Sequence, residues 1–214
     1  MNGQECTFPE CSRPAKWHFT MIDGRVPVAV WHLCTEHGKR RLLDWHQPRA
    51  RRDVVSQASD FGIVFDIAFL FWELEDDSAD ATCYVQLSET NGDHTIRIRT
   101  GPFEFSHLDR ELRQTASPRP PTHHAMASII TALGGSLRGV SIHRYDPDTG
   151  AYFANLLIRT SGEAVAVDVR PSDALVLAVI CDVPILVSKT LLACQGMGDF
   201  AKDWGLGSGR FGSG

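Results

Sequence analysis

The chain has 214 residues, of which 43% are hydrophobic and 22% charged, and its formal net charge is −5. This composition is typical of a soluble protein with one full-sized domain and room for a smaller one. The sequence opens on polar residues instead of a signal-like leader, and its longest apolar run, residues 61–72, is too short for a bilayer. We therefore expect a cytoplasmic protein without membrane contact.

The charge is distributed unevenly along the chain. Residues 1–53 carry nine basic and six acidic side chains, whereas residues 54–214 carry twelve basic and twenty acidic ones. Much of the positive charge lies between Lys39 and Arg52. This asymmetry predicts two modules with different partners, although such a basic stripe is often only solvated.

The first module contains a metal-binding pattern. Four residues separate Cys6 from Cys11, 22 residues follow, and Cys34 then stands three positions before His37. Zinc prefers four such sulfur and nitrogen ligands in a tetrahedron, delivered two at a time by short loops. We therefore expect a structural zinc site, and a metal staple would help so short a segment to fold.

Between the two ligand pairs, Asp23-Gly24 predicts a tight hairpin, and a short helix should begin near His37. His32 and His18 remain alternatives to His37 as the fourth ligand. Free buried cysteines remain the alternative to a metal. We assign residues 1–45 to this zinc-ribbon-like hairpin module and residues 46–59, which are basic and proline-bearing, to a linker.

Residues 60–193 should form the main domain, in which strand-like segments alternate with helical ones. The predicted strands are residues 61–72, 81–88, 94–99, 137–145, 151–158, 163–169 and 184–188. The predicted helices are residues 102–114, 122–135 and an apolar stretch beginning at Ser172. Hairpins among interspersed helices indicate an α+β fold with a mixed sheet. The Gly/Ser-rich residues 194–214 should be disordered.

Three clusters offer candidate chemistry at predicted helix starts. Near the third helix, Asp168, Arg170 and Asp173 indicate either a metal-plus-phosphate site or an ordinary helix start with Ser172 as its cap. Before the second helix, Arg119 and His123 indicate either phosphate binding with a neutral base or a solvated turn. Thr122 would cap that helix. Glu104 begins the first helix, either as a metal ligand or as a carboxylate that complements the helix dipole.

Four sequence segments, in the order in which they occur, resemble those of a known protein family. These are "IRIRTGPFEFSHL"; "PRPPTHHAM" with a later "GG"; "YFANLLIR"; and "VDVRPSDALVLAV" with "VPILV". Together they resemble the bifunctional nuclease (BFN) domain family over about residues 60–190. The resemblance implies a compact α+β domain, commonly a homodimer, with DNase and RNase activity. The positions that match family motifs are Glu104, Arg119, Pro120, Thr122, His123, Asp168, Arg170, Pro171, Ser172 and Asp173.

Two departures from the family pattern bear on the chemistry. The family usually has Thr-His-Asp where this chain has Thr122-His123-His124, so one carboxylate is missing, and Phe105 stands where the family usually has alanine. The metal-binding module in front is an addition to the family domain.

These observations lead to a hypothesis of a metal-assisted nuclease that acts on DNA or RNA. Asp168, Asp173 and Glu104 would hold Mg²⁺ or Mn²⁺, His123 would accept a proton, and Arg170 and Arg119 would bind phosphate. The alternative is a non-catalytic nucleic-acid- or protein-binding scaffold. The missing carboxylate and the acidic main domain favour that alternative.

Overall fold

The computed structural model describes residues 4–44, 62–74 and 81–194. Within them the chain forms nine strands and five helices. The strands are β1 (Trp17–Asp23), β2 (Val26–Leu33), β3 (Ile63–Leu74), β4 (Ala81–Glu89), β5 (Thr95–Thr100), β6 (Ser136–Asp146), β7 (Ala151–Arg159), β8 (Ala164–Val169) and β9 (Ile185–Val187). The helices are α1 (Thr35–Asp44), α2 (Pro102–Leu112), α3 (Thr122–Ala132), α4 (Pro171–Ile180) and α5 (Lys189–Cys194). The α+β prediction is confirmed, and only α5 lacks a predicted counterpart.

All nine strands belong to one mixed sheet. Its main order is β2-β1-β3-β9-β6-β7-β8, and β4 and β5 extend it from the other edge of β3. The β6–β9 pairing is parallel and the other pairings are antiparallel. The hairpin expected at Asp23-Gly24 is present, since β1 pairs with β2, and β6 and β7 form a further antiparallel hairpin.

The metal-module hairpin is continuous with this sheet, because β1 pairs with β3 along residues 69–73. A second small core lies there, in which Trp17, Phe19 and Phe71 stack on one another and are almost completely buried. Gly38 of α1 lies so close to Trp17 that a Cβ would come within 2.6 Å of the indole ring. The assignment of residues 1–45 to a separate module stays a prediction, and the proposed linker and tail lie outside the described residues, apart from Cys194.

Arg25 joins the tip of the hairpin to the main domain. Its backbone lies in the left-handed region, with φ +67°, next to Gly24 at +55°. Its guanidinium donates to the carbonyls of Ala178 and Val183, at 3.1 and 2.6 Å, and to Asp182 at 2.7 Å. These acceptors lie at the C-terminal end of α4, where helix carbonyls lack intrahelical partners. The hairpin tip therefore caps the end of α4.

Helix α4 is the buried centre of the main domain. Residues 174–178 are at most 1% exposed, as expected for a helix that is apolar on all sides. It packs against α2 and α3 and against β6 and β7. None of the helices in the described ranges is long and apolar enough to cross a bilayer.

Two expected helix caps are wrong. Pro121 and Arg170, not Thr122 and Ser172, occupy the N-cap positions of α3 and α4, and neither N-cap side chain makes a capping hydrogen bond. In α4 the reason is Pro171, whose fixed φ and missing N–H suit the first helical position. The helix therefore starts two residues earlier than a serine cap would place it.

Candidate functional site

The Cys6, Cys11, Cys34 and His37 side chains converge, with their ligand atoms all within 4.8 Å of one another. The Nδ1 of His37 lies 3.3 Å from the Sγ of Cys6 and 3.5 Å from that of Cys34. Three sulfurs and one imidazole nitrogen so arranged could hold a metal ion. Such a donor set suits a structural site, because four protein ligands leave no open position.

The alternative fourth ligands are engaged elsewhere. His18 and His32 face each other across β1 and β2, with their Nδ1 atoms 3.3 Å apart. Within the cluster, Arg13 Nε donates to Cys11 Sγ at 3.4 Å, and this lowers the pKa of the Cys11 thiol to about 6. Cys11 is therefore mostly a thiolate at neutral pH, the form that binds metal.

A second site lies where the first turns of α2, α3 and α4 meet. It contains Glu104 of α2, His123 of α3, and Arg170 and Asp173 at the start of α4. The close approach follows from the packing of α4 against both other helices. Four of the six candidate catalytic residues thus lie in one cluster.

Hydrogen bonds connect all four residues. His123 Nε2 donates to Asp173 Oδ1 at 2.9 Å. Arg170 donates from Nε and Nη2 to the two oxygens of Asp173, at 2.7 and 3.1 Å, and from Nη2 to Glu104 at 2.6 Å. Arg170 therefore bridges two carboxylates whose side chains are only 13% and 18% exposed, while its own is 68% exposed.

These contacts determine the ionisation of Asp173. Burial by itself would raise the pKa of its carboxyl, but the hydrogen bonds from Arg170 and His123 outweigh burial and hold that pKa below its ordinary value. Asp173 is therefore a carboxylate at neutral pH and accepts hydrogen bonds. Since it can only accept, the proton on His123 lies on Nε2, and His123 Nδ1 carries a lone pair when the ring is neutral.

His107 is a functional candidate that sequence reasoning missed. Its Nδ1 lies 3.3 Å from the Nδ1 of His123, and Phe103 packs on its ring with centroids 4.6 Å apart. Burial and the nearby charges of His123 and Arg110 lower the pKa of His107. The available signal was the spacing of Glu104 and His107, which puts both side chains on one face of α2.

Asp168 and Arg119 are not part of the network. Asp168 lies on the edge strand β8 and Arg119 in the loop before α3, and both are exposed. Neither side chain makes a hydrogen bond or ion pair among the described residues. In that part of the chain, only the cysteine–histidine cluster brings three or more potential ligands together. The expected set of Glu104, Asp168 and Asp173 around one cation is therefore not formed, because Arg170 occupies two carboxylates and the third is elsewhere.

The comparisons with known proteins agree with the resemblance. The bifunctional nuclease domain matches residues 85–198. An uncharacterized protein of Mycobacterium tuberculosis (strain H37Rv) is 35% identical over 111 residues, which cover 52% of this chain and 65% of that protein. Bifunctional nuclease 1 of Arabidopsis thaliana is 35% identical over 82 residues, or 37% of this chain and 25% of the relative.

Bifunctional nuclease 1 of Oryza sativa subsp. japonica is 30% identical over 124 residues, which cover 56% of this chain and 37% of the rice protein. The chain thus spans less than two thirds of the length of each of these relatives. The domain match covers more than half of the chain and includes all four residues of the network. The chain belongs to the bifunctional nuclease domain family, which supports a nuclease-type function at the level of the family.

Proposed function

We propose that this protein hydrolyses phosphodiester bonds of DNA or RNA at the site formed by Glu104, His123, Arg170 and Asp173. The observation that carries the proposal is the hydrogen bond between His123 and Asp173 beside an exposed arginine. An imidazole oriented by a carboxylate is a general base, and a guanidinium binds phosphate oxygens in a fixed geometry.

The roles of the residues follow from their hydrogen bonds. Asp173 accepts from Nε2 of His123, so the lone pair on Nδ1 is the proton acceptor, and the carboxylate stabilises the imidazolium that forms. Nη1 of Arg170 has no hydrogen bond with any described residue, so it is available to a phosphate oxygen. Glu104 also accepts from Nη2 and thereby helps to hold the guanidinium in place.

A divalent cation bound by oxygen is not included in this proposal. The family suggests such an ion, but Arg170 already binds the oxygens of Glu104 and Asp173, and Asp168 is not within their hydrogen-bond network. For the N-terminal cluster we propose zinc, because three thiols and one imidazole match its preferred donors. Its role would be structural.

Substrate binding would involve the basic helix α1. Lys39, Arg40 and Arg41 lie there, and Arg41 stacks on Trp31 at 4.1 Å from the ring centroid. The other basic residues of the stripe, Arg49, Arg51 and Arg52, lie outside the described residues. Contacts between Lys or Arg side chains and phosphate groups hold a nucleic acid irrespective of its sequence, and they weaken as the salt concentration rises.

The non-catalytic scaffold remains the second candidate because one observation favours it. Arg170 is paired with both carboxylates, as in a purely structural ion-pair network. His124, which stands where the family has a carboxylate, is itself paired with Glu111 at 2.9 Å. A nucleic-acid-binding protein without cleavage would retain all of these contacts.

Cleavage assays on single-stranded DNA and RNA distinguish the two candidates. The parent protein should cleave, and Asp173→Asn and His123→Gln should each reduce the rate by about a hundredfold or more, since the oriented base is lost. His94→Gln is the matched control, because His94 is exposed and pairs only with Glu89. Binding without cleavage by the parent would favour the scaffold, whereas full activity of both variants would contradict the assignment of the catalytic site.

The remaining expectations stay part of the proposal. A homodimer is supported by the edge strand β8, which is exposed on both faces and leaves Val165 and Val167 42% and 40% exposed. Sedimentation equilibrium of the parent and of a Val165→Lys variant tests it. A cytoplasmic location is supported by the free thiols, which a reducing compartment preserves.

A further inference from the structure

The spacing of two imidazoles at the cluster points to a ligand. Nδ1 of His107 and Nδ1 of His123 lie 3.3 Å apart. Two nitrogen ligands at 2.0–2.1 Å from a tetrahedral zinc ion stand about 3.3 Å apart. The separation therefore matches that of two imidazoles sharing one metal ion, as well as that of one N–H···N hydrogen bond between them.

We propose that His107 and His123 bind a transition-metal cation of the zinc type through their Nδ1 atoms. This site is separate from the cysteine cluster and uses nitrogen donors instead of the carboxylate oxygens expected from the sequence. Imidazole suits zinc and its neighbours in the transition series, whereas Mg²⁺ prefers oxygen ligands. With two protein ligands, the remaining coordination positions stay open to water or phosphate.

Asp173 supplies the support that such a site needs. A histidine that binds metal through one nitrogen almost always donates from the other to a carboxylate or carbonyl, which fixes the ring. His123 does this through Nε2, at 2.9 Å from Asp173. Phe103 holds the His107 ring from the side, and both imidazoles come from helices, which position ligands well.

The pair of His18 and His32 has the same Nδ1 separation but a different environment. His18 Nε2 lies 3.2 Å from Thr20 Oγ1, and this hydroxyl accepts from Arg113 at 3.3 Å. The hydroxyl proton is therefore free to be donated to His18 Nε2, which places the ring proton on Nδ1. That pair is explained by one N–H···N hydrogen bond, and within the described residues neither ring donates a hydrogen bond to a carboxylate.

The charge of the cluster favours a cation as well. With both histidines neutral, the two carboxylates and Arg170 sum to −1, which repels an approaching phosphate. A divalent cation changes this sum to +1. A bound metal also lowers the pKa of its water, which would provide the nucleophile, and the lone pair of His123 Nδ1 would then bind the metal instead of accepting a proton. This last role rests on the proposed function, whereas metal binding itself does not.

A cobalt titration of the full chain tests the site without measuring cleavage. Protein that retains one zinc ion per chain in the cysteine cluster is titrated with Co²⁺ while visible absorption is recorded. We expect one further equivalent to bind without a thiolate-to-cobalt charge-transfer band. His107→Ala should weaken this second equivalent at least tenfold, and His94→Gln should leave it unchanged.

Two results would overturn the proposal: no second equivalent in the parent protein, or equal affinity in His107→Ala. His107→Phe is a second test of the same loss, because it keeps an aromatic ring against Phe103 if the alanine variant is unstable. Asp173→Asn should also weaken cobalt binding, by about 10- to 100-fold. Since none of these readouts involves cleavage, a failure of the metal site is distinguishable from a failure of the nuclease proposal.

Discussion

Arg170→Gln tests the charge balance of the cluster most directly. The substitution removes three charge-assisted hydrogen bonds, at 2.6, 2.7 and 3.1 Å, and leaves Glu104 and Asp173 without their shared cation. Charged hydrogen bonds contribute about 1.5–3 kcal/mol each in favourable settings, but the guanidinium is mostly in water and its bonds are screened. We therefore expect the free energy of unfolding to fall by about 2 kcal/mol at pH 7, or roughly 4–8 °C in Tm for a chain of this length.

The loss should depend on pH in one direction. Arg170 depresses the folded-state pKa of Asp173, so its stabilisation is fully present above the ordinary carboxyl pKa and disappears as pH falls through the lower folded-state value. Chemical unfolding should therefore show a large difference in the free energy of unfolding between the variant and the parent at pH 7. Near pH 3 this difference should be small.

A matched control and a second variant complete the test. Arg138→Gln removes an exposed arginine that has no ion pair in the described part of the chain, and it should change stability by less than about 0.5 kcal/mol. Glu104→Gln combined with Arg170→Gln should recover part of the loss, because one uncompensated charge is removed. An equal loss at both pH values, or none at pH 7, would refute the reasoning.

Three further predictions concern the N-terminal hairpin. Burial lowers the pKa of His18 to about 4, so the parent should lose about 2 kcal/mol of stability, after allowance for partial exposure, as pH falls from 6.5 to 4. In urea unfolding, His18→Gln should lose less stability than the parent between pH 6.5 and pH 4. Arg25→Asn tolerates the left-handed backbone but removes the guanidinium hydrogen bonds to the carbonyls of Ala178 and Val183, although the Val183 N–H still donates to Ala178; differential scanning calorimetry should show a loss of about 1–3 kcal/mol. Cys34→Ser should release zinc and increase amide exchange first in β1 and β2, and unchanged exchange there would contradict a structural metal.

Local patterns were sufficient to predict most elements of the fold. Alternating or apolar runs predicted the strands, and Asp23-Gly24 predicted the first hairpin, because short-range backbone and burial preferences act on neighbouring residues. The junction of β1 with β3 depends on a pairing between segments some fifty residues apart, which no local pattern encodes. The start of α4 lies two residues before the one expected from a Ser172 cap, because Pro171 suits the first helical position.

The residues of the site could be predicted where charged side chains stand at helix starts. They could not be predicted where only the packing of one helix against another brings a side chain to the site. Glu104, His123, Arg170 and Asp173 each stood in a recognisable position, and they do meet. His107 does not begin a helix, and its importance follows only from the approach of α3 to α2.

The contact of Arg25 with the C-terminal end of α4 connects the N-terminal hairpin to the helix that carries the candidate site at its other end. A helix of ten residues is about 15 Å long, and here its leading end presents Arg170 and Asp173 while its trailing end is held by the hairpin tip. A substitution that displaces the hairpin tip would therefore act on the helix whose first turn holds Asp173. The N-terminal hairpin and the cluster of Glu104, His123, Arg170 and Asp173 are thus connected through one helix.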